Sequence, residues 1–291
     1  MILYSIENDF LKVVITSKGA ELQSVLTKEN QLEYLWQANE KFWAKKSPVL
    51  FPIVGGLKNN SYSYQNKTFN LSRHGFARDN EFSILKITET SIQFLLENSE
   101  KTLLVFPFQF KFIIEYALQS SKLICNYLVE NLSDDEMYFS VGAHPAFNVP
   151  LTDSTIFSDW ILEFNQPETI GIFPLTADGL LKAQPIPFLQ NSNQIKLTKD
   201  LFYKDALVFK HLQSNQLKLI SNKSQHGIKM QFDGFPFFGI WSAKDADFIC
   251  LEPWCGVADS ENSTGEITQK EGINILKSNE TFSRTWSIEL F

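Results

Sequence analysis

Three short stretches of the chain combine a titratable side chain with residues that turn the backbone and apolar neighbours that exclude water. They are Arg73–Arg78 around His74, Gly142–Phe147 around His144, and Leu251–Gly256 around Glu252. With only 4 histidines among 291 residues, two in such settings are informative. A histidine and a carboxylate that meet in a cleft can exchange protons near neutral pH. Acid–base chemistry is therefore the first hypothesis.

His144 and Glu252 are the candidates for that chemistry. His144 follows a predicted strand over Met137–Val141, and Pro145 restricts its backbone and ends strand pairing. Glu252 ends the apolar run Phe248–Leu251, so we expect its carboxyl group to be partly buried, which would raise its proton affinity. The alternatives are a histidine that only bonds a loop carbonyl and a salt-bridged glutamate at the end of a strand.

Five further residues are candidates for binding. Arg73, His74 and Arg78 form a donor-rich turn that suits hydroxyl groups or an anion, although a solvated surface turn explains it equally well. Trp254 could stack on the apolar face of a sugar. Asp205 precedes the predicted strand Ala206–Lys210 and is unremarkable by itself. Cys250 is interpreted as a small core residue.

Alternating apolar and polar residues recur from end to end, which is typical of half-buried antiparallel strands. The clearest segments are Phe110–Leu118, Ile228–Asp233 and Thr285–Leu290, followed by Leu11–Thr16, Phe82–Ile87, Ile92–Glu97, Lys122–Glu130 and Phe248–Glu252. The long irregular stretches are predicted to be Ser47–Tyr62, Asn148–Asp159, Asn165–Asp200 and Pro253–Gly272. No linker or composition shift divides the chain, so we predict an all-β fold in a single domain over residues 1–291, with a cleft bounded by loops.

Composition excludes several classes of function. The net charge of −7 leaves no basic face for nucleic acid. The 3 cysteines lack metal-ligand spacing and favour a reducing cytoplasm. We find no secretory signal, no membrane-length apolar run, no phosphate-binding loop and no dinucleotide fingerprint. The expectation is a cytoplasmic protein that needs neither metal nor cofactor, contacts neither membrane nor nucleic acid, and binds a small molecule.

The order of these segments resembles the aldose 1-epimerase (galactose mutarotase-like) family, and within it the LacX-like branch. The motifs are His-Gly-Phe-Ala-Arg, Gly-Ala-His-Pro-Ala-Phe, Asp-Ala-Leu-Val-Phe and a late Glu-Pro-Trp. The resemblance covers nearly the whole chain, and it is the order and spacing of the motifs, rather than any one of them, that is specific. It implies a large antiparallel β-supersandwich and cofactor-free interconversion of the α and β anomers of a sugar, by a monomer or homodimer.

The resemblance also implies roles for individual residues. Glu252 matches the catalytic base, His144 the catalytic acid, and His74 and Asp205 match sugar-binding residues. Two departures concern the substrate. Galactose mutarotases proper carry an arginine after the segment that matches Val54-Gly55, and hexose-6-phosphate epimerases carry Arg-Gly-Gly where this chain has Lys45–Pro48. A preference for a phosphorylated sugar would have to rest on Arg73 and Arg78, with lysines near Lys45–Lys46 or Lys58; a free hexose is favoured.

Three other classes of protein remain open. A glycoside hydrolase could use Asp205 and Glu252 as its carboxyl pair, although that chemistry does not need two histidines. A non-catalytic carbohydrate-binding protein could use Trp254 and other aromatic residues. A His/His/carboxylate metal site is the least favoured, because its ligands lie far apart in sequence.

Overall fold

Strands form most of the regular structure. A computed structural model describes residues 2–291 and contains one short helix, α1 (Glu100–Leu103), besides 3-10 turns. The strands are β1 (Leu3–Glu7), β2 (Leu11–Thr16), β3 (Leu22–Thr27), β4 (Ser61–Tyr64), β5 (Lys67–Asn70), β6 (Ser83–Ile87), β7 (Ser91–Glu97), β8 (Phe110–Gln119), β9 (Lys122–Asn131), β10 (Met137–Phe139), β11 (Val141–Gly142), β12 (Ala146–Asn148), β13 (Trp160–Ile172), β14 (Ile186–Lys196), β15 (Leu207–Lys210), β16 (Gln216–Ser221), β17 (Ile228–Gln231), β18 (Phe237–Trp241), β19 (Phe248–Cys255), β20 (Asn274–Leu276) and β21 (Thr281–Leu290).

Two antiparallel sheets dominate the fold. The larger has nine strands in the order β14-β13-β16-β17-β21-β9-β8-β7-β6, and the smaller has five, with β11 and β12 both pairing β19 and the order continuing through β18 to β15. Strand β8 illustrates how the alternation of apolar and polar residues forms such a sheet. Every second residue from Phe110 to Leu118 is buried and those between are partly exposed, because successive side chains leave a strand on opposite faces. The prediction of an all-β antiparallel fold is confirmed.

The smaller sheet positions the candidate site because both of its faces are covered. On one face of β19, Ile249, Leu251 and Cys255 join the main hydrophobic core with residues of the larger sheet. All eight residues of β19 are buried. The other face therefore meets a second layer made by loops, and Cys250, Glu252 and Trp254 alternate along that face.

Two expectations about local structure are wrong. The stretch Asn165–Asp200 is not mainly irregular, because β13 runs to Ile172 and β14 occupies Ile186–Lys196. Strand β14 lies at the edge of the nine-stranded sheet and most of its residues are at least partly exposed, so it lacks the apolar alternation that identifies a strand. Strand β19 also continues past Glu252 to Cys255. Among residues 2–291, no helix is long and apolar enough to cross a membrane.

Candidate active site

A cavity of about 460 Å³ opens on the outer face of the smaller sheet. All seven candidate residues line it: Arg73, His74, Arg78, His144, Asp205, Glu252 and Trp254. Two tryptophans and several small or aliphatic residues complete the wall: Trp43, Pro48, Gly55, Leu175, Gly179, Leu181, Ala206, Val208, Trp241, Val257 and Ala258. Its size and its mixture of apolar wall and a few polar groups are typical of a small-molecule site.

Glu252 lies inside β19 and not at its end. It faces Gly239 of β18 across the ladder, and only 1% of its surface is exposed. Its Oε2 atom has no hydrogen-bond partner among the described residues. A buried carboxyl oxygen without a partner is costly to fold, which suits an atom that waits for a ligand.

His144 is aligned with Glu252 by backbone bonds on either side of it. The amide of Ala143 donates to the carbonyl of Pro253 (3.1 Å), and the amide of Leu251 donates to the carbonyl of Pro145 (3.2 Å). These bonds place the imidazole next to the carboxyl group, with Nε2 of His144 3.3 Å from Oε2 of Glu252. The two atoms are within reach of one another but not aligned as a hydrogen bond. Strand pairing therefore brings the two residues together, although 108 residues of sequence separate them.

Burial drives both members of the pair toward their neutral forms. It raises the pKa of Glu252 well above its usual value, and the nearby charge of Asp205 adds to this increase. It lowers the pKa of His144 to about 3, and the charges of Arg78 and Arg73 act in the same direction. Both shifts favour a protonated carboxyl group on Glu252 and a neutral imidazole on His144.

His74 is fixed by two backbone contacts to Gly55. Its amide donates to the Gly55 carbonyl (2.9 Å), and the Gly55 amide donates to Nδ1 of its ring (3.1 Å). Burial, and then the neighbouring His144, lower the pKa of His74 well below its usual value. The neutral ring accepts at Nδ1, so its proton lies on Nε2, and that N–H is the donor left for a ligand. The ring stands edge-on to His144, with centroids 5.7 Å apart.

The two arginines lie at the rim. Nη2 of Arg78 donates to the carbonyl of Arg73 (2.8 Å), which holds the turn together. The guanidinium of Arg73 packs over Gly179, where a Cβ would lie only 1.4 Å from Nη2. Gly179 has a φ of +74°, so this tight turn needs glycine both for its backbone and for the space that Arg73 occupies. The loop around Gly179 therefore positions Arg73.

Trp254 and Asp205 complete the predicted set. The indole of Trp254 lies against the sheet where two glycines leave room for it: a Cβ would come within 2.3 Å of the ring at Gly239 and 2.6 Å at Gly142. Asp205 precedes β15 with a left-handed φ of +88° and accepts a bond from the Ala206 amide through Oδ1. Its second carboxylate oxygen remains available to a ligand.

Asp259 ties together the loops that close the cavity. Its backbone amide donates to Gly56, its backbone carbonyl accepts from Leu181, and its carboxylate accepts from the amide of Lys58. The same carboxylate forms a buried ion pair with Lys270, at 2.7 Å. Three chain segments thus converge on this one residue, through its backbone and its side chain, which keeps the apolar wall in place.

The lysines proposed for a sugar phosphate are engaged elsewhere. The ammonium group of Lys46 donates to the carbonyl of Gln23 and the side chain of Gln37. That of Lys58 donates to the carbonyls of Glu261 and Ser263. Neither residue lines the cavity. Lys45 does not line the cavity either, but its charge acts on His144 and lowers the pKa of that imidazole. Arg73, Arg78 and Lys45 are therefore the cations left for the phosphate hypothesis.

Two residues that line the cavity, Trp43 and Trp241, were not predicted as site residues, and Cys250, which is a core residue as expected, lies next to the catalytic candidates. Trp43 stacks on His144, with centroids 5.1 Å apart and an angle of 26°, and Trp241 meets the same ring edge-on. The Sγ atom of Cys250 lies within 4.8 Å of the nearest side-chain atoms of His144 and Glu252, so these three could hold a metal ion. The alternation of β19 could have placed Cys250 on the face of Glu252; Trp43 lies in a loop and had no such signal.

Comparisons with known proteins identify the family of this chain. The sequence model of the family described as aldose 1-epimerase matches residues 3–281. The chromosomal LacX protein of Lactococcus lactis subsp. lactis is 34% identical over 98% of both chains. A galactose mutarotase related enzyme from Lactobacillus acidophilus has a TM-score of 0.95 at 38% identity, covering 100% of this chain and 97% of its own. A galactose mutarotase-like protein from Lactobacillus casei has a TM-score of 0.92 at 30% identity, with both chains fully covered. This chain, with its galactose mutarotase-like antiparallel fold, therefore belongs to the aldose 1-epimerase family.

Proposed function

We propose that the protein is an aldose 1-epimerase that interconverts the α and β anomers of a free aldohexose by acid–base catalysis. The observation that supports it most directly is the 3.3 Å approach of His144 Nε2 to Glu252 Oε2 on the floor of the cavity. Mutarotation needs one group at the C1 hydroxyl and another at the ring oxygen. Those two oxygens are bonded to the same carbon, so the acid and the base must themselves be close together.

The pair carries the single mobile proton that this reaction needs. The reaction begins once the proton of the pair has moved from Glu252 to His144. Glu252 then takes the proton of the C1 hydroxyl while His144 protonates the ring oxygen, and the C1–O5 bond breaks. The open-chain stage then has a protonated Glu252 and a neutral His144, which is the distribution that burial favours. Rotation about C1–C2 and reclosure with the reverse transfers give the other anomer and restore the starting state. No covalent intermediate is needed.

Other side chains have binding roles in this proposal. The Nε2–H of His74 and the guanidinium of Arg73 donate to sugar hydroxyl groups, and the free oxygen of Asp205 accepts from one. Trp254 packs on an apolar face of the ring. Stacking on Trp43 fixes the plane of the His144 imidazole, so that its Nε2 remains directed at the reacting atoms.

The free hexose is favoured over a hexose phosphate because the site holds few free cations. Lys46 and Lys58 are engaged elsewhere, which leaves Arg73, Arg78 and the more distant Lys45 for an anionic group. Arg73 also stands close to where the arginine of galactose mutarotases is missing, since a Cβ at Gly56 would lie 3.9 Å from its Nε. In this proposal Arg73 supplies the guanidinium that the Gly55-Gly56 segment lacks.

The test is anomer exchange measured by NMR on a panel of aldoses. The purified protein is added to equilibrated galactose, glucose and their 6-phosphates, and magnetisation transfer between the α and β C1 protons gives the rate. We expect faster exchange for a free hexose than for its phosphate. No exchange above the buffer rate for any sugar, together with saturable binding, would favour a carbohydrate-binding protein. Release of free sugar from an aryl glycoside would favour the hydrolase.

A matched pair of arginine variants tests the substrate assignment. Arg73→Gln should raise the KM for the free hexose, because it removes a charged donor from the mouth of the site. Arg78→Gln should affect the free hexose less, because one guanidinium nitrogen of Arg78 is already committed to the carbonyl of Arg73. A wild-type rate that is higher with a hexose 6-phosphate, and falls in both variants, would reverse the assignment.

A further inference from the structure

Cys250 gives the site a chemical group that anomer exchange does not use. It is fully buried, leaves β19 on the same face as Glu252, and packs against Trp36 and Phe248 next to the residues that line the cavity. Its Sγ, an imidazole nitrogen of His144 and a carboxylate oxygen of Glu252 all lie within 4.8 Å of one another. Sulfur, imidazole nitrogen and carboxylate oxygen together form a ligand set that suits zinc and cadmium.

We propose that His144, Cys250 and Glu252 form an inhibitory binding site for Zn²⁺ or Cd²⁺. Zinc bonds to nitrogen and oxygen of about 2.0–2.2 Å at a tetrahedral angle place the two ligand atoms about 3.3–3.5 Å apart. The Nε2–Oε2 distance of 3.3 Å already satisfies this. The sulfur lies within 4.8 Å of both ligand atoms, so the Cys250 side chain moves inward to complete the third ligand position.

An independent observation indicates that the floor of the cavity lacks a partner. Oε2 of Glu252 is buried without a hydrogen bond, in a residue that is 1% exposed. A bound dication would satisfy this oxygen, and the charges of one carboxylate and one thiolate would balance it. Trp43 and Trp241 pack against the His144 ring and hold it in this orientation.

Binding involves bond exchange without redox change. The Cys250 S–H bond breaks, its proton goes to the buffer, and the sulfur lone pair forms the metal–sulfur bond. His144 binds through its Nε2 lone pair, with the ring proton on Nδ1. Glu252 binds as the carboxylate and releases a proton if it holds one. All three ligands are then occupied, so the metal and the sugar exclude each other; this consequence for activity rests on the proposed function, whereas metal binding itself does not.

Cadmium titration monitored by ultraviolet absorption tests binding directly, because a cadmium–thiolate bond has its own charge-transfer band. We expect one equivalent of Cd²⁺ to bind the wild type with this band. Cys250→Ala should lose the band and bind about tenfold more weakly or worse. Cys250→Ser, which preserves the volume, should also lose it and shows that the loss does not come from a packing defect. Cys255→Ala is the matched control, because Cys255 lies in the same strand on its opposite face, and it should retain the band.

Anomer exchange is measured in parallel at increasing Zn²⁺ concentrations. The rate of each protein is compared with its own rate without metal. Competitive inhibition of the wild type and of Cys255→Ala, with at least about tenfold weaker inhibition of Cys250→Ala, supports the proposal. No thiolate band in the wild type, or a band that disappears with Cys255 instead of Cys250, overturns it. A normal band in a protein without any anomer exchange supports the metal site and counts against the proposed function alone.

Discussion

Glu252→Gln is expected to slow anomer exchange strongly while leaving sugar affinity nearly unchanged. Glutamine keeps the shape of the side chain and can still bond a hydroxyl group, but it cannot accept a proton. A positioned general base contributes about 10²–10⁴ in rate, or about 3–5 kcal/mol of activation free energy. The loss should appear in kcat, and the dissociation constant of the sugar should change little because the ground state loses little.

The same substitution should stabilise the protein in a pH-dependent way. Burial, and then the charge of Asp205, raise the pKa of Glu252 in the folded chain. The unfolded chain ionises this group above about pH 4.3, whereas the folded chain keeps it protonated, so the folded state binds more protons. The stability contributed by Glu252 is complete below that pH and decreases as the pH rises through the folded pKa, by at most about 1.4 kcal/mol per pH unit.

Urea unfolding at pH 5, 6 and 7, with a chelator present, measures this effect. Glutamine does not titrate, so the stability of Glu252→Gln relative to the wild type should rise with pH, by at most about 2.7 kcal/mol over those two units. Glu29→Gln is the matched control. Because Glu29 is exposed, the stability of this variant relative to the wild type should not change with pH. Near-normal exchange rates in Glu252→Gln, together with a flat stability difference, would refute both the catalytic role and the buried neutral carboxyl group.

His144→Asn should slow exchange by about 10²–10⁴, and combining it with Glu252→Gln should be little worse than either alone, since both residues serve one proton cycle. Trp43→Leu removes a stack worth about 0.5–1.5 kcal/mol, so we expect kcat to fall about two- to tenfold with little change in KM. Gly179→Ala should displace Arg73 and raise KM about tenfold or more, because a charged hydrogen bond is worth about 1.5–3 kcal/mol. All three are measured by NMR exchange kinetics at several sugar concentrations.

Each of these three predictions would be contradicted by a specific result. Additive losses in the double variant would mean that the two residues act in separate steps. A change in KM alone for Trp43→Leu would make Trp43 a sugar contact instead of a support for His144. Gly265→Ala is the control for Gly179, because Gly265 has a similar φ of +80° but nothing near the position of a Cβ. Equal effects of the two glycine variants on KM would show that backbone strain, and not displacement of Arg73, is responsible.

The alternation of residue types determined the strands and their faces. Strand β2 has the predicted bounds, Leu11–Thr16, and β8 buries the predicted side chains from Phe110 to Leu118. This succeeds because side-chain direction along a strand is a local property with period two. The prediction failed for β14, since an edge strand exposed on much of its surface needs no apolar alternation.

The sequence also identified the groups that could do chemistry, because a histidine before a proline and a glutamate after an apolar run are visible in one dimension. It could not show that β11 and β12 pair one after the other with the same edge of β19, so that His144 between them lies 3.3 Å from Glu252. Strand neighbours are set by closure of the whole sheet, and contacts across 108 residues leave no local pattern.

Tertiary structure alone decided what surrounds the pair. The loop that carries Trp43 over His144, the rim where Arg73 rests on Gly179, and the thiol of Cys250 beside Glu252 all depend on how distant segments pack. So do the protonation states, because burial depends on every segment that covers the cavity. The sequence therefore determined which residues were available and which way their strands face, and only the folded chain decided which of them touch and how strongly each one holds its proton.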